Sequence, residues 1–114
     1  MSTRVSPIVV IYALWCGACL YNLVLFCLHR IKILEEFFYH FNGPEWKQND
    51  HWLDDQYSYC DWYGVSCDAL NVSTTKLELG SNGLSGELNI RIIEKLSGLK
   101  KLETLDLSGN DITG

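Results

Sequence analysis

Residues 60–67 of this chain read Cys-Asp-Trp-Tyr-Gly-Val-Ser-Cys, and the rest of the sequence is organised around them. The two cysteines are most simply joined as a disulfide, because Cys60 and Cys67 with His51 nearby lack the paired ligand spacing of a structural zinc site. A disulfide that closes a loop of this size stabilises a small domain by roughly 2–3 kcal/mol. Such a bond persists only in an oxidising compartment, so the stretch also indicates where the protein works.

The segment from residue 46 to residue 63, which overlaps the cysteine stretch, is rich in large apolar and amphipathic side chains, most of them aromatic. Such a set could form a carbohydrate-stacking or cation-binding surface, but in a small capping unit it more often forms the core, and we favour the core. The residues are Trp46, Trp52, Leu53, Tyr57, Tyr59, Trp62 and Tyr63.

An amphipathic helix is predicted from Ile31 onward. Its apolar face has the spacing of three and four residues that a helix requires, and comprises Ile31, Leu34, Phe37, Phe38 and Phe41. The residues Asn-Gly-Pro at 42–44 should end it, because Asn or Gly adopts the left-handed cap conformation and Pro prevents continuation.

Acidic residues are scattered through the loops around the cysteines. Their spacing does not fit a calcium-binding loop, so we interpret them as a solvated acidic surface in which one or two members cap turns. They are Asp50, Asp54, Asp55, Asp61 and Asp68. The sequence implies no cofactor and no metal.

After the cysteines the chain repeats itself. Residues 77–86 align with residues 105–114 at a constant offset of 28, matching the apolar, Asn and Gly positions. Alternating leucines put their side chains on the inner face of a short parallel strand, and Asn82 and Asn110 can bond backbone groups of the following turn. A helical or 3₁₀ return leg is predicted from Ile93, Leu96, Leu99, Leu102 and Leu105, which recur every third residue.

The N-terminal segment from residue 8 to residue 28 contains no charged residue. Its length suits a retained signal anchor, which we favour, while a cleaved signal peptide and a buried soluble helix are the alternatives. Within it, Cys16 and Cys19 form a C-x-x-C motif like that of the thioredoxin family, although the further strands of that fold are not apparent downstream.

Residues 31–114 resemble the N-terminal cap and first repeats of plant-type leucine-rich repeat proteins: receptor-like kinases, receptor-like proteins and secreted polygalacturonase inhibitors. The marks are the helix ending at 42–44, the cysteine stretch at 60–67, and Leu-Asp-Leu-Ser-Gly-Asn at 105–110. The resemblance implies an α/β solenoid: an apolar helix, a helical and aromatic cap, and about two short parallel strands. The implied domains are an anchor or signal over 1–30, a cap over 31–73, and two repeats over 74–114, the second incomplete.

The chain departs from the plant pattern in three places. Its repeat has 28 residues where about 24 is usual, and Thr74 stands where the second repeat has the apolar Leu102. In addition, two repeats leave an open C-terminal edge, which calls for further sequence or a covering partner.

If a ligand face exists, it uses strand residues that point away from the core: Lys76, Glu78, Thr104 and Asp106. Family members bind proteins or peptides on such a concave face. We therefore expect a non-catalytic protein- or peptide-recognition module that is membrane-tethered through residues 8–28 or secreted. The alternatives are an N-terminal fragment of a receptor-like kinase and a membrane thiol oxidoreductase that uses Cys16 and Cys19.

Two further features bear on location and partners. The chain carries a formal net charge of −5, and residues 31–114 carry −7, which disfavours nucleic-acid binding. Asn71 begins an Asn-Val-Ser glycosylation sequon next to the cysteine stretch. The sequon and the cysteines together predict that residues 31–114 lie on the extracellular or lumenal side.

Overall fold

The computed structural model describes residues 20–114, with side chains from residue 28 onward. Residues 8–19 of the predicted apolar span, which runs over 8–28, therefore lie outside the described residues. Cys16 and Cys19 lie outside them as well. Within the part that the structure describes, no helix combines the length and the apolar content that crossing a membrane requires.

The first helix, α1, spans Leu20–His40. It begins well before the predicted start at Ile31, because residues 20–42 contain neither Gly nor Pro to interrupt a helix. The boundary drawn between residues 30 and 31 therefore falls inside a continuous helix. The helix ends as predicted, with Asn42 in the left-handed conformation at φ 64°.

The buried face of α1 packs against the aromatic segment to form the core of the cap. Phe37 and Phe41 are fully buried, and their rings lie edge to face with centroids 5.0 Å apart. The prediction of a core is confirmed for Trp46, Trp52, Tyr59 and Trp62, which are all buried.

One member of the predicted aromatic core lies at the surface instead. Tyr57 is 41% exposed and stacks on the ring of His51, with centroids 3.7 Å apart. The core prediction is wrong for this residue, which ends an exposed turn closed by a hydrogen bond from its backbone N–H to the carbonyl of Asp54.

Among residues 20–114, five short strands form two small sheets. The first sheet contains β1 (Val65–Cys67), β2 (Thr74–Glu78) and β4 (Thr104–Asp106), in the order β1-β2-β4. In it β1 is antiparallel to β2, and β2 is parallel to β4. The second sheet pairs β3 (Ser85–Glu87) with β5 (Asp111–Thr113) in parallel. The result is a small α/β domain with short parallel strands.

The two parallel pairs do not share one register. In the first sheet Leu77 lies opposite Leu105, an offset of 28, whereas in the second Gly86 lies opposite Ile112, an offset of 26. The pairing of the second sheet therefore differs by two residues from the offset of 28 in the sequence alignment. Because side chains alternate with a period of two along a strand, a shift of two residues keeps the same side chains facing inward.

The return leg between the repeats contains a short helix, α2, spanning Ile90–Leu96. The side chain of Asn89 caps it by accepting a hydrogen bond from the backbone N–H of Ile92. The leg buries Ile92, Leu96 and Leu99, while the predicted Ile93 is 47% exposed. The buried residues of the leg therefore follow the period of 3.6 residues of an α-helix, and not the spacing of three on which the prediction was based.

Candidate recognition face

The strands β2 and β4 bring the four predicted face residues together. Lys76 lies opposite Thr104, and Glu78 lies opposite Asp106, in a parallel register. Their neighbour Leu77 is fully buried on the other side of the sheet, as the alternation of a strand requires. Lys76, Glu78 and Asp106 are exposed and Thr104 is half-buried, so the four residues occupy one accessible face.

A fifth residue joins this face from the cap. Ser66 of β1 lies opposite Lys76 in the antiparallel pair and extends the row from Thr104 across three strands. Sequence reasoning missed it, because β1 has only three residues and lies inside the cysteine stretch. The signal that could have found it is the Val-Ser-Cys alternation that follows Gly64.

Asp106 is held in place by the turn that follows β4. Its Oδ1 accepts hydrogen bonds from the Oγ of Ser108 at 2.6 Å and from the backbone N–H of Ser108 at 3.0 Å. Both bonds lower the pKa of the Asp106 carboxyl, and the bond from the Ser108 hydroxyl has the larger effect. Gly80 makes room for this arrangement, since a Cβ there would lie 3.3 Å from both Asp106 Oδ2 and Ser108 Oγ. The face therefore carries a fixed negative charge at neutral pH.

Two asparagines bind successive segments of the chain to one another. The side chain of Asn82 accepts from the backbone N–H of Gln48 and donates to its carbonyl, both at 2.7 Å. One repeat later, Asn110 Oδ1 accepts from the backbone N–H groups of Asn82 and Leu84, and its Nδ2 donates to the carbonyl of Leu79. Each asparagine thus ties its own turn to the preceding one.

The cysteine stretch fastens the cap to the first sheet. A disulfide joins Cys60 and Cys67, whose Cα atoms are 5.5 Å apart. Beside it, Asp68 Oδ1 accepts from the backbone N–H groups of Val72 and Ser73 and so caps the intervening turn. Both bonds lower the pKa of the Asp68 carboxyl, and the bond from Val72 has the larger effect.

The predicted glycosylation residue lies on this turn. Asn71 is exposed and has a left-handed backbone conformation at φ 57°. An exposed sequon at a turn is accessible to a modifying enzyme.

Comparison with known proteins identifies relatives of this sequence. Phytosulfokine receptor 1 of Arabidopsis thaliana is 30% identical over 109 aligned residues, covering 75% of this chain and 10% of the receptor. Receptor-like protein 50 of the same plant is 41% identical over 54 residues, covering 47% of this chain and 6% of the relative. Part of this chain is homologous to plant leucine-rich repeat receptor-like proteins and receptor kinases.

The resemblance drawn from the sequence is thereby confirmed. A further Arabidopsis thaliana relative, described as a probable leucine-rich repeat receptor-like serine/threonine-protein kinase, is 35% identical over 63 residues, covering 55% of this chain and 6% of the kinase. This chain thus spans a tenth or less of the length of these leucine-rich repeat relatives. No protein-family model matches the sequence.

The two copies of the internal sequence repeat, residues 77–86 and 105–114, differ in burial at equivalent positions. Leu77 and Leu84 of the first repeat are fully buried. Their counterparts in the second repeat, Leu105 and Ile112, are 43% exposed and half-buried, respectively. The apolar side of the second repeat is therefore open to solvent.

Proposed function

We propose that this chain is a non-catalytic recognition module of a leucine-rich repeat protein, whose strand face contacts a protein or peptide ligand. The face consists of Lys76, Glu78, Thr104 and Asp106. One observation carries the proposal: the register of β2 and β4 places these four polar side chains side by side on the accessible side of the sheet. The homology to plant receptors supports a binding role.

The proposed domain organisation follows the predicted one. Residues 31–73 form the cap and residues 74–114 form two repeats, which begin an α/β solenoid. The asparagine bonds between successive turns support stacking of this kind. The 43% exposure of Leu105 supports a further layer on the open side, either another repeat or a protein partner.

The proposed location is outside the cytosol. The disulfide between Cys60 and Cys67 supports an oxidising compartment, and the exposed sequon at Asn71 supports passage through the secretory route. We propose that residues 8–28 tether the module to a membrane as a signal anchor, with secretion after cleavage as the alternative.

The binding proposal is tested with peptides selected from a displayed random library on the full chain. Their dissociation constants are then measured by fluorescence anisotropy on the wild type and on the double variant Lys76→Gln/Asp106→Asn. Asparagine at 106 keeps the oxygen that accepts from Ser108, so the turn is preserved. The matched control is Lys100→Gln/Glu94→Gln, which removes one charge of each sign at exposed positions away from the strands.

We expect the face variant to bind at least 10-fold more weakly, equivalent to about 1.4 kcal/mol, and the control variant to bind as the wild type does. The proposal is refuted if both variants bind the selected peptides as tightly as the wild type. It is also refuted if the library yields no peptide that binds the folded chain.

A further inference from the structure

A polar cleft lies between the C-terminal half of α1 and the return helix α2. Its volume is about 490 Å³, within the roughly 300–1,000 Å³ of clefts that hold small ligands. We call it the helix cleft. The α1 wall includes Glu35, Glu36 and Tyr39, and the α2 wall includes Arg91 and Lys95. None of these residues belongs to the strand face.

The two carboxylates of the helix cleft each have a cation beside them. Glu36 Oε2 lies 3.5 Å from the Nζ of Lys95 and connects the two walls. Glu35 Oε1 lies 3.7 Å from the Nζ of Lys32, one turn earlier on its own helix. Both pairs are exposed to solvent and contribute little to stability, but each balances an acidic charge.

Arg91 is the cation of the helix cleft that remains without a carboxylate. It is exposed, and none of the ion pairs within residues 28–114 includes it. A guanidinium presents a planar fork of N–H donors that matches the two oxygens of a carboxylate. Arg91 is therefore suited to a carboxylate supplied from outside.

A second observation concerns the wall formed by α1. Tyr39 is 62% exposed, and its ring is held edge to face by Phe38, with centroids 5.4 Å apart. A large ring that is already held in place offers contact area at a small cost in conformational entropy. Tyr and Arg are also among the side chains that most often dominate binding energy at interfaces, and the helix cleft has one of each on its two walls.

The overall charge opposes an anionic ligand only at a distance. Residues 31–114 carry a formal charge of −7, but at physiological ionic strength salt screens exposed charges beyond about 8 Å. Within the helix cleft, the two carboxylates are balanced by Arg91 and Lys95. The contact with Arg91 therefore decides the binding.

We propose that the helix cleft binds a carboxylate joined to an aromatic or large apolar group. Arg91 holds the carboxylate through paired N–H donors, and the apolar group packs on the ring of Tyr39. A small free acid and the last residue of a peptide share this chemistry. This site uses none of the strand-face residues and goes beyond the function proposed for that face.

The test uses 3-phenylpropionate, with 3-phenylpropionamide as its uncharged counterpart and propionate as the acid without a ring. Each is titrated into the ¹⁵N-labelled full chain, and the backbone amide signals are followed by NMR. N-acetylalanylphenylalanine, titrated in the same way, presents the same two groups at the end of a peptide. The tighter binder of the two aromatic acids identifies the source of the ligand.

Two variants test the two contacts separately. Arg91→Gln removes the charge and Tyr39→Ala removes the ring, and both residues are exposed, so the core is left intact. The matched controls are Lys100→Gln and Tyr57→Ala, which make the corresponding changes at exposed positions outside the helix cleft.

We expect 3-phenylpropionate to shift the amides of Tyr39, His40, Arg91 and Ile92 saturably, with a dissociation constant on the order of 1 mM. The amide compound, propionate, Arg91→Gln and Tyr39→Ala should each weaken binding about 10-fold, and the controls should change it less than about twofold.

Three results would each overturn the proposal: no saturable shift with either aromatic acid at millimolar concentration, equal binding of the uncharged amide, or an equal loss in Arg91→Gln and Lys100→Gln. The signals of β2 and β4 are not involved in any of them. Failure here therefore leaves the proposed function of the strand face standing.

Discussion

Replacing Asn110 by alanine tests whether the asparagine bonds hold the two repeats together. In the structure its Oδ1 accepts from the backbone N–H of Asn82 at 2.8 Å and of Leu84 at 3.0 Å, and both of these residues are at most 2% exposed. The alanine variant leaves two buried donors without an acceptor, each of which costs about 1–3 kcal/mol. We expect the free energy of unfolding to fall by about 2–5 kcal/mol, a large share of the 5–15 kcal/mol typical of a small domain.

The measurement is urea unfolding of the full chain, followed by tryptophan fluorescence. Asn110→Asp is an informative companion, because a carboxylate still accepts from Asn82 and Leu84 but meets the carbonyl of Leu79, to which the amide donated. It should lose an intermediate amount of stability. The exposed neighbour variant Asp111→Ala should stay within about 0.5 kcal/mol of the wild type. If Asn110→Ala also stays within that range, the bonds do not hold the repeats together and the reasoning is wrong.

Three further predictions follow from single features. Thr74→Val should stabilise the chain by about 1 kcal/mol in urea unfolding, because the Thr74 Oγ1 is buried without a partner, and a loss of stability would contradict this. Removing the disulfide in Cys60→Ser/Cys67→Ser should lower the free energy of unfolding by about 2.5 kcal/mol, because the unfolded chain regains loop entropy. An unchanged urea midpoint would contradict a stabilising role of the disulfide. Expressed in a secretory pathway, the wild type should show a glycosidase-sensitive mobility shift that Asn71→Gln abolishes, and a wild type without any shift would contradict export.

The strand face could be predicted from the sequence because it depends on a local rule. Leu77 and Leu79 alternate with Lys76 and Glu78, and a strand of period two separates the two sets whatever the rest of the fold does. Asn110 was predictable in part for a similar reason, since a short polar side chain at a turn bonds nearby backbone groups, here the carbonyls of Leu107 and Ser108.

Other features depend on distant contacts and could not be predicted in this way. The period of three in the sequence selects Ile93, but the packing of α2 against α1 buries Ile92 instead. Likewise, Tyr57 and Tyr59 are two residues apart, yet only Tyr59 reaches the core, where its hydroxyl donates to the carbonyl of Val72.

A small pocket on the cap, lined among others by Ile31, Leu53, Tyr57, Tyr59 and Trp62, was even less accessible to sequence reasoning. Its walls come from residues as far apart as Ile31 and Trp62, which only the folded cap brings together. The missing partner of Trp62 is likewise a property of three-dimensional geometry, since Trp46 and Trp52 look no different in the sequence.

The central claim is that residues on β1, β2 and β4 form one face that recognises a peptide. The most direct measurement is NMR chemical-shift mapping of a library-selected peptide on the ¹⁵N-labelled full chain. We expect the perturbed amides to be confined to Ser66, Lys76, Glu78, Thr104, Asp106 and their strand neighbours. Perturbations centred on α2, around Ile90 and Ile93, with the strands unchanged, would contradict the claim.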